Sequence, residues 1–276
     1  MPNNRGNETT SHESTNITLA KKIIAGQDAS YAEMFGLAKK LKREQAFTFA
    51  RRILKRAQSK PEANQGKNRL KLAQQLALVT YKDPDLPPDE KLDEALKILQ
   101  EADDLQNTTD QETLGLTGAI HKRRWEFDGQ KQHLERSLAF YMRGYGQGVD
   151  RDNGYTGINA AFTLDLIAEQ EEEEARQANI KPESAEDRRN KAREIREKIA
   201  ETLVEKAENE KPDPPEAALK NQWWFLATIA EAYFGLGRYD EAWKWLNDAA
   251  KLEDVPEWER ESTIRQLAQL ARLKYG

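Results

Sequence analysis

The stretch from Trp223 to Asp254, WWFLATIAEAYFGLGRYDEAWKWLNDAAKLED, decides the fold. Its first half puts Leu226, Ile229 and Tyr233 on one helical face, and Gly237 ends that helix. A second helix follows, with apolar or small residues at spacings of three or four: Tyr239, Ala242, Leu246, Ala249 and Leu252. Small side chains let two antiparallel helices approach closely, so the stretch predicts a helix pair.

The same pattern recurs along the chain. It is clearest in a copy with Met34, Leu37, Ala38 and Leu41 on a first helix and Phe47, Ala50, Leu54 and Ala57 on a second. Looser copies follow over about 70–105, 114–141 and 155–210, a sixth pair is predicted to start at Asp213, and 258–275 reads as a terminal helix. No window shows the alternation typical of strands, so the sequence predicts an all-α protein.

The run Gly237, Tyr239 and Ala242, together with Tyr233 and Ala249, resembles a tetratricopeptide repeat. The resemblance implies a right-handed α-solenoid of antiparallel helix pairs with a C-terminal capping helix. Three parts are predicted: a disordered polar tail over 1–16, a basic N-terminal helical repeat over 17–66, and an irregular solenoid with the capping helix over 67–276.

Charge is unevenly distributed. The chain of 276 residues has 43 Lys and Arg against 48 Asp and Glu. Between Lys21 and Leu72, however, there are 14 basic residues and only four acids, which gives this region a net charge of +10. The acids are Asp28, Glu33, Glu44 and Glu62. Such a region attracts acidic proteins or nucleic acid through the same Coulomb term, and it is also what solvated faces of amphipathic helices contain.

The composition leaves few routes to catalysis. There is no cysteine for a disulfide, thiolate metal site or nucleophile, and the three histidines are His12, His121 and His133. His121 is expected to pack against a neighbouring helix. The run 150–154 lacks the later residues of a calcium loop, since Ala161 stands where a bidentate Glu is needed. We therefore predict a non-enzyme without metal or cofactor.

The expected cellular location follows from the distribution of apolar residues. No run of 18 apolar residues is present, and the first 16 residues lack the apolar core of a signal peptide. A cytoplasmic protein without membrane contact is expected. The acidic run 171–174 is interpreted as a solvated helix surface, and Gly144, Gly146 and Gly148 as a helix terminator with a flexible link.

Three phrases carry a narrower resemblance: TLGLTGAIHKRRW at 113–125, GYTGINAA at 154–161, and PEW at 256–258 with the residues after it. Together they resemble the TRAF-binding-domain family, which includes bacterial helical-repeat proteins and the central regulatory region of the apoptosis-signal-regulating kinases. The resemblance covers about 69–275. It implies a non-catalytic, protein-binding solenoid that regulates a signalling, stress or defence effector such as a protease.

A solenoid's first helices line its concave groove, which can hold an extended peptide, a helix or an effector enzyme. Helical phase predicts that this groove is lined by Phe35, Lys39, Lys42, Arg43, Lys122, Arg123, Asn153, Thr156, Trp224, Glu231 and Phe234. Trp224 and Phe234 could instead pack on a neighbouring pair, and Asn159 is expected to hydrogen-bond across a helix interface. The favoured function is a protein-binding adaptor or regulatory subunit. The alternative is a nucleic-acid-associated protein that uses the basic N-terminal helices.

Overall fold

The computed structural model describes residues 14–182, 184–212, 214 and 218–275. These residues form twelve α-helices, with short 3-10 turns at Pro61–Asn64 and Leu219–Asn221. The helices are α1 (Thr15–Ile24), α2 (Tyr31–Arg43), α3 (Phe47–Ala57), α4 (Asn68–Lys82), α5 (Pro88–Ala102), α6 (Gln111–Asp128), α7 (Lys131–Tyr145), α8 (Tyr155–Ala178), α9 (Ala185–Asn209), α10 (Trp223–Gly235), α11 (Tyr239–Ala250) and α12 (Glu257–Tyr275). No strand occurs in the described residues, and the predicted all-α class is confirmed.

The chain divides into two compact units, Met1–Asp85 and Leu86–Gly276, here called the N-terminal and the C-terminal unit. The division lies later than the boundary predicted after residue 66. The predicted tail over 1–16 falls almost wholly outside the described residues, and α1 begins at Thr15 with Ser14 as its N-cap.

In the N-terminal unit, α1 packs on α2 and α3, and α3 packs on α4. Helix α2 starts with a capping box, in which Ser30 and Glu33 satisfy each other's backbone N–H groups. Asp83 closes the end of α4 onto α3, because its buried carboxylate accepts hydrogen bonds from Thr48 at 2.6 Å and from Arg51 at 2.6 Å. Four side chains anchor α2 to this unit: Met34, Leu37, Ala38 and Leu41.

In the C-terminal unit, consecutive helices from α5 to α11 pack against one another, as in a tetratricopeptide-like α-solenoid. Glycines allow neighbouring helices to approach closely. A Cβ on Gly118 of α6 would lie 2.8 Å from ring atoms of Tyr141 in α7, and one on Gly144 of α7 would lie 2.5 Å from Thr156 in α8. Gly144 is therefore a packing residue inside a helix, which corrects the flexible-link interpretation. Gly148, with a φ of 115°, fits a chain reversal.

The predicted terminal helix is present as α12, and its position gives this unit its main feature. It packs against the first helices α8 and α10. Trp243, on the outer helix α11, stays 66% exposed. The predicted start of the sixth pair at Asp213 lies outside the described residues, and the first helix of that pair begins at Trp223.

Candidate protein-binding surfaces

The exposed side of α2 is the first candidate surface, and we call it the α2 surface. Tyr31 and Phe35 stack with ring centroids 5.7 Å apart, and the Lys39 ammonium lies 5.1 Å from the centre of the Phe35 ring. Lys42 donates to the side-chain oxygen of Gln75 in α4 at 3.0 Å, while Lys39 and Arg43 are exposed. Four predicted groove residues thus lie together on one helix and present an aromatic pair beside positive charge.

The second candidate surface lies in the C-terminal unit, on the side of α6, α8 and α10 that faces α12; we call it the first-helix face. Its helices are buried on every side over long runs, at Thr113–Lys122, Thr156–Ala168 and Phe225–Tyr233. A helix with neighbours on only one side shows a buried stripe instead. These helices also contact one another, α6 with α8 and α8 with α10, and α8 and α10 contact α12 as well.

Helix α12 contacts the first-helix face through a stripe of side chains and, near its C-terminal end, through an ion pair outside that stripe. The Trp223 indole donates to the Thr263 hydroxyl at 3.2 Å, and Leu270 is fully buried beside Phe162 and Leu166. Near its C-terminal end the Arg272 guanidinium donates twice to the Glu169 carboxylate, at 2.6 and 2.8 Å. These contacts run from the start of α10 to the end of the buried run of α8.

A buried polar network lies at the middle of this contact. Lys122 is 8% exposed and donates to Asn159 at 3.0 Å and to the Gln266 side-chain oxygen at 3.1 Å. The same Gln266 amide donates to Glu231 at 2.8 Å, and Glu231 is 6% exposed. One amide of α12 therefore links a buried cation to a buried anion. The cation also lies 5.1 Å from the centre of the Phe162 ring.

Burial governs the ionisation of these two groups. It lowers the pKa of Lys122 to about 8, and it raises the pKa of Glu231, because water no longer stabilises either charge. The Gln266 hydrogen bond and the nearby Arg196 act in the opposite direction on Glu231. Arg196 itself is buried and pairs with Asp165 at 2.7 Å. The face thus holds charges that are satisfied mainly by one another and by α12.

The structure brings together some of the predicted groove residues and not others. Lys122 and Glu231 meet at the first-helix face, and Arg123 lies beside Lys122 and pairs with Glu126 on its own helix. Trp224 is 40% exposed and lies 6.2 Å from the Trp258 ring of α12.

Three other predicted residues have structural neighbours. Phe234 is half-buried against Tyr239, at 5.4 Å between ring centres. Asn153, in the turn before α8, accepts a hydrogen bond from Lys206 at 2.8 Å. Thr156 is buried, and its hydroxyl donates to Asp152 at 2.6 Å. Asn153 and Thr156 therefore do not line the face.

Sequence reasoning missed the partners that complete the network. The sequence places Gln266 only in the capping helix and in the last phrase of the narrower resemblance, and it does not single out Asp165 or Arg196. Asp165 carried a signal, because it is the only charged residue in the apolar run Tyr155–Ala168 and a buried charge needs a partner. Asn159 was expected to bond across a helix interface, and its bond with Lys122 of α6 confirms this.

Two other interpretations are settled by contacts. The acidic run is not a simple solvated surface, because Glu171 accepts from Arg188 at 2.9 Å and Glu172 from Arg189 at 2.7 Å, which ties α8 to α9. His121 packs against the neighbouring helix as expected, with its ring 5.7 Å from Phe140 of α7.

No group of three or more His, Asp or Glu side chains in the described part of the chain could hold a metal ion. Among the described helices, none combines the length and the apolar character needed to cross a bilayer.

Paired helices, small residues at their crossings and the Gly-x-Tyr-x-x-Ala turn define a helical-repeat protein of the tetratricopeptide class. Comparison with protein families identifies the family within this class. The chain belongs to the family described as Tetratricopeptide Repeats-Sensor, which matches residues 17–164, more than half of its length. No curated protein matches the chain. Repeats of this class are protein-interaction modules and are generally non-catalytic.

Proposed function

We propose that this protein is a non-catalytic adaptor or regulatory subunit that binds an acidic segment of a partner protein. The observation that carries the proposal is the α2 surface, where Lys39 and Arg43 are exposed beside the Tyr31–Phe35 pair. Tetratricopeptide-type helices commonly offer such a surface to an extended peptide or a helix. Aromatic rings supply contact area there, and the cations fix orientation.

The partner's class follows from the narrower resemblance. Residues 69–275 resemble the TRAF-binding-domain family, which supports a cytoplasmic signalling, stress or defence effector, such as a protease, as the regulated partner. The present chain would then contribute binding, and the effector would contribute catalysis.

A matched pair of charge reversals tests the α2 surface. Lys39→Glu with Arg43→Glu reverses two exposed charges of the α2 surface, and Lys244→Glu with Lys251→Glu reverses two exposed charges of the C-terminal unit. Nuclease-treated lysate of the source cell is passed over each immobilised chain, and the bound proteins are identified by mass spectrometry. We expect a partner retained by the wild type and the control pair and lost from the α2 variant. Equal retention by all three chains would contradict the proposal.

Nucleic acid is a second candidate, favoured by the charge of +10 between Lys21 and Leu72. Phosphate contacts release counterions, so binding would fall steeply with salt, by a slope of about 0.9 per contact on logarithmic axes. Fluorescence anisotropy with a labelled duplex at 50 and 200 mM salt measures this slope. Binding that is absent or independent of salt excludes the second candidate and leaves the protein partner in place.

A further inference from the structure

The contact between α12 and the first-helix face has the form of a bound ligand helix. We propose that this face is a helix-binding groove, that α12 is its internal ligand, and that a partner helix with the same recognition side chains replaces α12. The proposal rests on the proposed protein-binding function and adds a second surface, an occupant and a mode of regulation. A partner would need to displace a segment of the chain itself.

The recognition stripe of α12 is short and regular. Thr263, Gln266 and Leu270 follow one another at spacings of three and four, which puts them on one side of the helix. Amphipathic helices bound in grooves are anchored by side chains at such positions. The partner chemistry is therefore a helix with the pattern Thr-x-x-Gln-x-x-x-Leu.

The central Gln gives the groove its specificity. Its amide is both donor and acceptor, so it satisfies Lys122 and Glu231 together. A helix with an apolar residue at that position would leave both buried charges short of a partner, which is costly. A cationic residue would face Lys122, and an anionic residue would face Glu231. A neutral side chain that both donates and accepts, as the Gln266 amide does, fits both groups, and this fixes the register of the bound helix.

Helix α12 buries few of its residues. Only Thr263 and Leu270 are buried, as few residues as in α11, while α10 buries every residue from Phe225 to Tyr233. On the side of α12 away from the groove, Ile264 is exposed. Elements with few buried residues open at low free energy, so α12 is among the segments expected to open first.

A labelled peptide with the sequence of residues 257–275 is the probe for exchange. In the wild type it competes with a tethered α12, whose effective concentration is on the order of millimolar because only residues 251–256 join it to α11. In the full-length Leu270→Ala chain the internal helix has lost its anchor. We expect this variant to bind the peptide at least about tenfold more tightly than the wild type. A peptide carrying the same Leu270→Ala change should bind neither chain.

A chain in which α12 is crosslinked to α8 tests the opposite case, in which α12 cannot leave the groove. The chain has no cysteine, so Glu169→Cys with Arg272→Cys introduces two thiols at a partly exposed ion pair, which a short bis-maleimide can join. We expect the crosslinked chain to lose peptide binding, and the same chain without crosslinker to bind at least as well as the wild type. Each single-cysteine chain treated with the reagent controls for modification.

The result that overturns the proposal is equally clear. If the folded Leu270→Ala chain, checked by circular dichroism, binds the peptide no better than the wild type, α12 is a fixed part of the fold. If that variant does not fold, Gln266→Ala takes its place in the same assay with the same two outcomes. The assay contains no lysate partner, so its failure leaves the α2 surface standing, and failure of the α2 variants leaves the peptide result standing.

Discussion

Helices α2 and α8 are both first helices of a pair, yet they are buried to very different extents. Helix α2 buries one stripe and leaves Lys39, Lys40 and Arg43 exposed. Helix α8 buries every residue from Thr156 to Ala168. The sequences explain part of this, because α2 is charged opposite its apolar stripe, whereas α8 has no charged residue before Asp165.

The remaining difference is due to the number of neighbours, because α2 packs mainly on α1 and α3, whereas α8 packs on α6, α7, α9, α10 and α12. Helix α12 packs on α8 and α10, so the surface on which a repeat protein usually binds a partner is already in contact with a helix. The same repeat pattern therefore produces an open surface in one unit and an occupied one in the other. Substitutions at matched positions should affect the two surfaces differently.

The largest difference in stability is expected between substitutions of Lys122, on the first-helix face, and Lys39, on the α2 surface. Lys122→Met removes the cation from the buried network and leaves the buried Glu231 without this compensating charge, which should lower the free energy of unfolding of the C-terminal unit by about 3 kcal/mol. Lys39→Met removes an exposed charge and should change stability by no more than about 0.5 kcal/mol. Urea unfolding of both variants measures the difference.

A double variant controls for the change of side-chain shape. Lys122→Met combined with Glu231→Gln leaves no uncompensated charge, so it should be at least about 1 kcal/mol more stable than Lys122→Met alone. Equal stability losses in Lys39→Met and Lys122→Met would mean that the network contributes nothing.

Substitution by alanine should destabilise the protein at Gly118 and stabilise it at Gly36. Gly118→Ala places a methyl group 2.8 Å from the buried ring of Tyr141, and we expect a loss of about 2 kcal/mol. A Cβ on Gly36 of α2 meets no atom within 4 Å, so Gly36→Ala should gain about 0.5–1 kcal/mol from helix propensity. Thermal melting distinguishes a rise from a fall, and a gain in both variants would show that α6 is as loosely packed as α2.

A smaller effect is expected from pH. Burial, followed by the charges of Arg124, Arg136 and His133, lowers the pKa of His121 to about 4, whereas an unfolded His titrates near about 6.5. Between these values the unfolded chain binds a proton that the folded chain does not. The contribution of His121 is complete above pH of about 6.5 and is lost as the pH falls towards 4, by about 1 kcal/mol at pH 5.5.

Replacing His121 with an apolar side chain measures how much this residue contributes to the pH dependence of stability. His121→Leu should flatten the dependence of the urea midpoint on pH between 7 and 5 relative to the wild type. An unchanged slope would show that other groups cause the acid sensitivity.

Much of the fold was predictable, because helix pairs depend on local periodicity. Leu226, Ile229 and Tyr233 lie in the buried part of α10 as their spacing indicated, and Gly237 adopts a φ of 78° just after that helix. The α2 surface followed from the same periodicity, since a helix that packs on one side leaves its charged side exposed.

The occupied face could not be predicted in the same way. Periodicity shows which side of α12 is apolar but not which helix it packs against, and a contact between Gln266 and Lys122 spans 144 residues. The projection that put Thr156 in the groove failed because Gly144 draws α7 so close that Thr156 is enclosed. Both features depend on tertiary distances, which no single helix encodes.

The most direct test of the difference between the two surfaces is thiol labelling in a chain that has no cysteine of its own. Asn159→Cys puts a buried thiol beside Lys122, the residue that binds Gln266 of α12, and Lys39→Cys puts an exposed thiol on α2. We predict that the first reacts with a maleimide far more slowly than the second, and that adding Leu270→Ala accelerates only the first. Equal rates at the two positions, or no response to Leu270→Ala, would contradict the conclusion that α12 closes the first-helix face.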